Sequence, residues 1–222
     1  MTGDASVAAA AEHVAAATGL DVLVNNAGIL GPRVPAEETT AADVREVYET
    51  NVLGIVRVLG AFAPLLARSE NPVVVNVSSG MGSLAVTGDP ERLESRLVSL
   101  PDPSSKTAVN MLTTQYAKAY PQMRVNAVDP GYTATDLNGH SGTQSVEQGT
   151  DAIVRMASID SSGPTGTFVD RNGDVPWRSL SGCTRRGAAG RERCGRVTPT
   201  RRSLPVAALG SRARRSTPGS PA

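Results

Sequence analysis

Three short clusters in the chain could hold a flat ligand against bare backbone: Asn25-Asn26-Ala27-Gly28, Ser78-Ser79-Gly80 and Asp129-Pro130-Gly131. Each follows a short apolar run, and small residues let a planar group approach the main chain closely. Taken one at a time, each reads as a tight turn. In open parallel sheets ligands bind beyond the carboxyl ends of the strands, so three such turns at three strand ends mark one candidate site. A lysine, Lys106, stands four residues after Asp102. A carboxylate beside a lysine is expected to be ionised at neutral pH and so to be a poor proton donor. His140, in Asn138-Gly139-His140-Ser141, reads as a loop-surface histidine, and Cys183 and Cys194 have no histidine near them. That spacing offers no metal site, and none is expected.

The elements that must position these clusters follow from periodicity. Residues 5–18 are Ala-rich without internal Gly or Pro and predict a helix closed by Gly19. Asp21–Asn26 predicts a buried strand. Thr39 or Thr40 caps a second helix to about Ala67, with Val44, Val47, Tyr48, Val52, Ile55, Val56, Leu59 and Phe62 at helical spacing and Pro64 kinking its last turn. Val73–Val77 is the second strand. A loop carrying Gly88, Pro90, Pro101 and Pro103 leads to Ser104 or Ser105, which caps a third helix to about Tyr120. Arg124–Val128 is the third strand, residues 146–157 a fourth helix and Thr167–Asp170 a last strand. Strands that are continuous apolar runs, alternating with helices, predict an α/β fold with a parallel sheet covered on both faces.

The 222 residues divide by composition into a body, 1–177, and a tail, 178–222. The tail holds eleven arginines against the single Glu192, a net +10, which leaves −9 on the body. It is dominated by Arg, Gly, Ala, Pro, Ser and Thr, and is expected to be a disordered basic tail because nothing in it could bury a core. An acidic body argues against nucleic-acid binding there, and the tail lacks interleaved aromatics or amphipathic periodicity, so no nucleic-acid or membrane partner is expected. The N-terminal stretch has no basic segment ahead of its alanines, and no window reaches 18 consecutive apolar residues. A cytoplasmic chain is the expectation.

Taken together and in this order, the motifs of residues 4–177 resemble the short-chain dehydrogenase/reductase family, of carbonyl-reductase type. Asn25-Asn26-Ala27-Gly28 is similar to the family's NNAG motif, which supports the sheet and the adenine side of the cofactor. Asn51 resembles the helix asparagine that holds a proton-relay water, Ser79 the serine that orients the substrate carbonyl, and Lys106 the lysine of YxxxK, which binds the nicotinamide ribose and lowers the tyrosine pKa. Pro130-Gly131-Tyr132-Thr133-Ala134-Thr135 resembles the PGxxxT segment lining the nicotinamide. The resemblance implies a doubly wound, Rossmann-like parallel sheet. It implies an NAD(P)-dependent oxidoreductase acting on the carbonyl/hydroxyl pair of a small molecule, with NADP favoured. The resemblance also implies the homodimer or tetramer of intact relatives.

The departures from that pattern carry expectations of their own. Asp102 occupies the position where the family has its proton-donating tyrosine, and no other Tyr stands four residues before a Lys. Losing a general acid costs on the order of 10²–10⁴-fold in rate. The family's opening strand, TGxxxGxG turn, helix and further strand, roughly 55–65 residues by typical unit lengths, are expected upstream of Met1. The fold is then partial, lacking the first three strands; cofactor binding is impaired; and Val22–Asn26 becomes an exposed apolar edge. The alternative function is a catalytically dead pseudoenzyme or fragment that serves as a dimerisation or binding partner through the 41–67 and 104–120 helices.

Overall fold

A computed structural model describes residues 1–17 and 19–177. The expectations for the tail and its cysteines lie outside the described residues. In chain order the body contains α1 (Asp4–Ala17), β1 (Val22–Asn25), α2 (Ala41–Tyr48), α3 (Gly54–Leu66), β2 (Val73–Val77), α4 (Leu84–Thr87), α5 (Pro101–Ala119), β3 (Arg124–Val128), α6 (Val146–Ala157), β4 (Phe168–Asp170) and β5 (Gly173–Asp174). The strands lie side by side in chain order. β1 to β4 are parallel, and β5 turns back antiparallel on β4. That closing hairpin is not expected from sequence; β5 is two residues long and carries no apolar run to announce it.

Alternation along β2 and β3 divides the core between the two faces of the sheet, as a doubly wound arrangement requires. Val74 and Val125 pack with Leu59, Leu66 and Met123 under α3 and α5. Val73, Val75 and Val128 pack with Ala152, Met156 and Val169 under α6. β2 is buried at all five positions because it has a strand on each side and helices above and below. α1 closes against α3 through Val7, Ala11, Val58 and Phe62, and Arg57 of α3 pairs with Asp4 and Glu49 at its surface. β1 is the edge strand among the described residues. Its Val22 and Val24 remain 37% and 39% exposed, as expected of an edge without a further strand.

Two helices depart from the sequence expectation. The 40–67 helix is not uniform: after Thr40 caps α2 in a reciprocal pair with Asp43, residues Glu49–Leu53 form a π-helical turn before α3 begins. One extra residue in the turn rotates α3 relative to α2, and such bulges occur often at functional sites. The rod Ala41–Leu66 has the length and mean hydropathy of a spanning helix, but 56% of its most apolar window is buried within the fold, as in a core helix. The second departure is that α5 starts at Pro101 rather than after Ser104. The first-turn N–H groups of a helix have no intrahelical acceptor, so Pro101 and Pro103 cost nothing there. Ser104 and Ser105 instead donate back to the carbonyls of Leu100 and Asp102. The long loop before α5 also contains α4, which Ser83 caps at Val86 N–H. The early start of α5 matters to the site, because it places Asp102 on a helix, one turn before Lys106.

Candidate active site

Asn51 sits in the π turn, 1% exposed. Its Oδ1 accepts from the Ile29 N–H at 2.9 Å and its Nδ2 donates to the Ile29 carbonyl at 2.9 Å. The side chain thus pairs with the loop after β1 as a strand would. The same Nδ2 donates to Ser105 Oγ of α5 at 2.9 Å and lies 3.5 Å from Asp102 Oδ1. One buried amide therefore joins the Asn25–Gly28 turn to the start of α5. Behind the turn, Asn25 Nδ2 donates to Asn76 Oδ1 at 2.8 Å, and Asn76 Nδ2 donates to Thr113 Oγ1 at 2.9 Å. This polar line crosses from β1 through β2 to α5. Asn26 and Ala27, by contrast, are exposed on the turn itself.

Lys106 comes one helical turn after Asp102, so both side chains lie on the same face of α5. The Lys106 ammonium donates to the Val77 carbonyl at the end of β2 at 3.0 Å. A Cβ placed on Gly28 would lie 3.4 Å from Lys106 Nζ and 3.4 Å from Asn51 Oδ1. The turn after β1, the end of β2 and the first turns of α5 thus converge on one point, floored by glycine. Asp102 is 8% exposed. No ion pair within 4 Å joins it to Lys106 among the described residues. Burial raises the Asp102 pKa, and the Lys106 charge only partly offsets this. Desolvation thus acts on this carboxyl against a lysine charge that does not touch it. Burial in turn lowers the Lys106 pKa, against the pull of Asp102 and Asp129.

Ser79 and Ser78 part company at the end of β2. Ser78 turns inward, donating to Asn110 Oδ1 of α5 at 2.6 Å. Ser79 stays half-buried on the cleft side, where its Oγ accepts from Met81 N–H at 3.2 Å. Close packing fixes α5 against this turn: a Cβ on Gly82 would fall 2.6 Å from the Lys106 carbonyl carbon. At the end of β3, Asp129 is 8% exposed. Its carboxylate accepts from Gly131 N–H at 2.9 Å. Burial raises its pKa despite that bond. Sequence reasoning gives Asp129 no role of its own; the signal present is the Asp-Pro-Gly turn itself, where an Asp bonds its own backbone two residues on.

The Pro130–Thr135 segment is held by local bonds. Gly131 has φ +69°, a conformation that favours glycine. Thr133 Oγ1 donates to the Pro130 carbonyl at 3.0 Å and packs over Gly149 of α6. Thr135 N–H donates to Asn138 Oδ1 at 3.2 Å at the start of a short 3₁₀ turn. The structure brings Gly28, Asn51 and Lys106 together, with Asp102 beside Asn51, while Ser79 stands at the end of β2 and Gly131 after the end of β3. It engages the Thr133 hydroxyl elsewhere. The tyrosines do not substitute for the absent phenol. Tyr116 and Tyr120 stack together 6.2 Å apart in the α3–α5 core, and Tyr132 bonds Ser141 in an exposed loop. Tyr48 lines a separate apolar cavity of about 660 Å³ between α2, α5 and the segment before α5, shared with Met81, Leu97 and Met111. That cavity adjoins the site without including Ser79, Asp102 or Lys106.

The family model described as short chain dehydrogenase matches residues 1–145. The chain belongs to the short-chain dehydrogenase family. The (+)-neomenthol dehydrogenase of Arabidopsis thaliana is 34% identical over 75% of this chain and 74% of its own length. Short-chain dehydrogenase/reductase 1 of Saponaria officinalis is 32% identical over 80% of this chain and 76% of its own. Among solved structures, the NADPH-bound carbonyl reductase from chicken fatty liver superposes with a TM-score of 0.70 at 27% identity, over 79% of this chain and 74% of that one. The fold of this short-chain dehydrogenase is carbonyl-reductase-like. Its sheet and helix positions match the family's, with an aspartate at the first position of the Asp102–Lys106 pair.

Proposed function

We propose that this protein is a nicotinamide-dependent oxidoreductase that interconverts a carbonyl and a hydroxyl on a small molecule, with NADP(H) preferred over NAD(H). The observation that carries the reading is the convergence of Lys106 and Asn51 beneath Gly28, next to Ser79. The residues present fit the nicotinamide-ribose half of such a cofactor. Lys106 Nζ has three donors and gives one to Val77, which leaves two for a ribose diol. Gly28 leaves the backbone without a side chain where Lys106 and Asn51 meet. When bound, the cofactor supplies the hydride. Ser79 Oγ orients the carbonyl oxygen, and Lys106 holds the ribose and sets the local charge.

Relatives named for neomenthol dehydrogenation and isopiperitenone reduction, and an NADPH-bound carbonyl reductase as a structural neighbour, support this reading. They also make neomenthol a reasonable alcohol probe, and para-nitrobenzaldehyde a simple carbonyl probe. Asp102 favours a second reading, a catalytically silent fold that acts only by binding. The experiment compares the full chain with Asp102→Tyr, which restores the family residue. Titration calorimetry with NADPH and NADH, then turnover of both probes, tests the proposal. Binding of NADPH ahead of NADH, with turnover in Asp102→Tyr at least, is the expected result. Binding with no turnover in either protein is the result for the silent fold.

A further inference from the structure

We propose that Asp129 is a positioning residue of this site, a buried carboxyl that holds the turn carrying Ser79 against the Pro130–Thr135 segment. This rests on the oxidoreductase reading and adds a residue that acts through its neighbours, not on the substrate. The ladder between β2 and β3 ends where the candidate site begins. Its last bond runs from Ser78 N–H to the Val128 carbonyl at 2.7 Å. Beyond it the two chains part: β2 runs into the Ser79–Gly82 turn, and β3 into the Pro130–Thr135 segment. No backbone bond joins these two segments among the described residues.

The Ser79 turn is held on its α5 side, where Thr107 Oγ1 and Asn110 Nδ2 donate to the Gly82 carbonyl at 3.0 and 3.2 Å. On its β3 side it meets the Asp129 side chain. The Asp129 backbone is fixed, since its N–H donates to the Val169 carbonyl of β4 at 2.8 Å. From there Oδ1 accepts from Gly131 N–H at 2.9 Å. Oδ2 lies against Gly80, 2.9 Å from where a Cβ would stand. One carboxyl thus meets both the residue after Ser79 and the residue after Pro130.

The placement is costly. Asp129 is 8% exposed, and no ion pair within 4 Å reaches it among the described residues. Glu94 Oε1 crowds the same Gly80 position at 3.1 Å, and Asp170, at the end of neighbouring β4, adds a second like charge. Lys106 is the cation that feels Asp129, without contact. A buried carboxyl among like charges, with no cation touching it, lowers stability, and folds break such local rules chiefly at functional sites. Asparagine would form the Gly131 bond as well. Only a carboxyl presents an acceptor oxygen to each turn. In carbonyl reduction the Ser79 hydroxyl must meet the carbonyl oxygen at a fixed distance from the segment past β3, and a shift of about 1 Å costs on the order of 100-fold in rate.

The test uses the full chain and has a readout that needs no cofactor. Amide hydrogen exchange by mass spectrometry compares residues 78–83 and 130–135 in wild type, Asp129→Asn and Asp129→Ala, with α3 as internal reference. In Asp129→Ala both segments should exchange about tenfold faster. Faster exchange confined to 130–135 makes Asp129 the former of its own turn only and overturns the proposal. Asp129→Asn should be at least as stable as wild type to urea at neutral pH, because it removes a buried carboxyl from among like charges, and should still lose turnover. Reduction of para-nitrobenzaldehyde by NADPH, in the wild-type and Asp102→Tyr backgrounds, should show kcat lower by about tenfold or more with NADPH binding unchanged. Stability lost in step with turnover in Asp129→Asn marks a structural role alone and overturns the proposal, as does an unchanged kcat. If Asp129→Ala does not fold, Gly80→Ala, which drives a methyl into the same carboxyl, must speed exchange at 130–135; unaltered exchange there overturns the proposal. Coupled exchange with no turnover in either background sustains the hold on the two turns and overturns the oxidoreductase reading.

Discussion

Replacing Asn51 with alanine and with aspartate should produce two different kinds of damage, and their pH dependence distinguishes them. Asn51→Ala removes a buried side chain that satisfies both backbone groups of Ile29 and bonds Ser105. Each buried partner left unsatisfied costs about 1–3 kcal/mol. A water can occupy part of the vacated space and recover one of them, so the net loss should be about 3 kcal/mol. That is a large share of the roughly 5–15 kcal/mol by which a domain is stable. Asn51→Asp keeps the shape and still accepts from Ile29 N–H. Its second oxygen, however, replaces the donor that faces the Ile29 carbonyl and lies 3.5 Å from Asp102. Two ionised carboxylates at that distance repel by about 5 kcal/mol at an effective dielectric of 20. One of the pair must then bind a proton, so its folded-state pKa rises above its unfolded value. A group shifted that way contributes stability at low pH and loses it as the pH climbs through the folded pKa. Urea unfolding of wild type and both variants, followed by circular dichroism across the acid-to-neutral range, reads this out. At neutral pH Asn51→Asp should be the less stable variant. On acidification it should gain on Asn51→Ala, which keeps a constant deficit. A difference between the variants that is flat with pH, or Asn51→Asp as stable as wild type at neutrality, would refute the placement of Asn51 between Ile29 and Asp102.

The remaining predictions use the same geometry. Asp102 is itself a carboxyl whose folded pKa is raised, so its own contribution to stability is present below the ordinary aspartate range and declines as pH rises above it. Asp102→Asn should therefore gain on wild type in chemical denaturation as the pH increases through that interval. Gly82→Ala forces a methyl to within 2.6 Å of the Lys106 backbone; a loss of about 1–3 kcal/mol from overpacking and weaker NADPH binding, measured by thermal shift and calorimetry, are expected together. Gly131→Ala places a side chain at φ +69° against Gln144 and should cost about 1–2 kcal/mol, read by urea unfolding. Val22→Thr with Val24→Thr, at half-exposed positions on the β1 edge, should change stability by less than about 0.5 kcal/mol and reduce aggregation measured by light scattering.

The features legible in the sequence are those that depend on local pattern. β2, and β3 after Arg124, are uninterrupted runs of apolar and Asn residues, and a strand between two strands and two helix layers needs nothing else to declare itself. The span of α6 matches the 146–157 helix read from sequence, while the structure selects Thr40 over Thr39 as the cap of α2, through its reciprocal pair with Asp43. The features that escape the sequence depend on packing. Nothing in Glu49–Leu53 marks a π turn; the extra residue is tolerated because Asn51, rotated inward, gains Ile29 and Ser105 as partners. Pro101 and Pro103 argue for a loop because proline usually ends helices, whereas in a first turn the missing N–H has no bond to lose.

Asp102 shows most clearly why spacing alone misleads. A carboxylate four residues before a lysine on a helix reads as an ion pair, and in water that reading would hold. Here Lys106 is drawn away to a strand-end carbonyl, and the carboxyl is left in a buried pocket facing an amide. The charge that the sequence places beside Asp102 therefore acts at a distance, while burial acts at the atom. The larger effect has the opposite sign: burial raises the pKa that the lysine charge alone would lower.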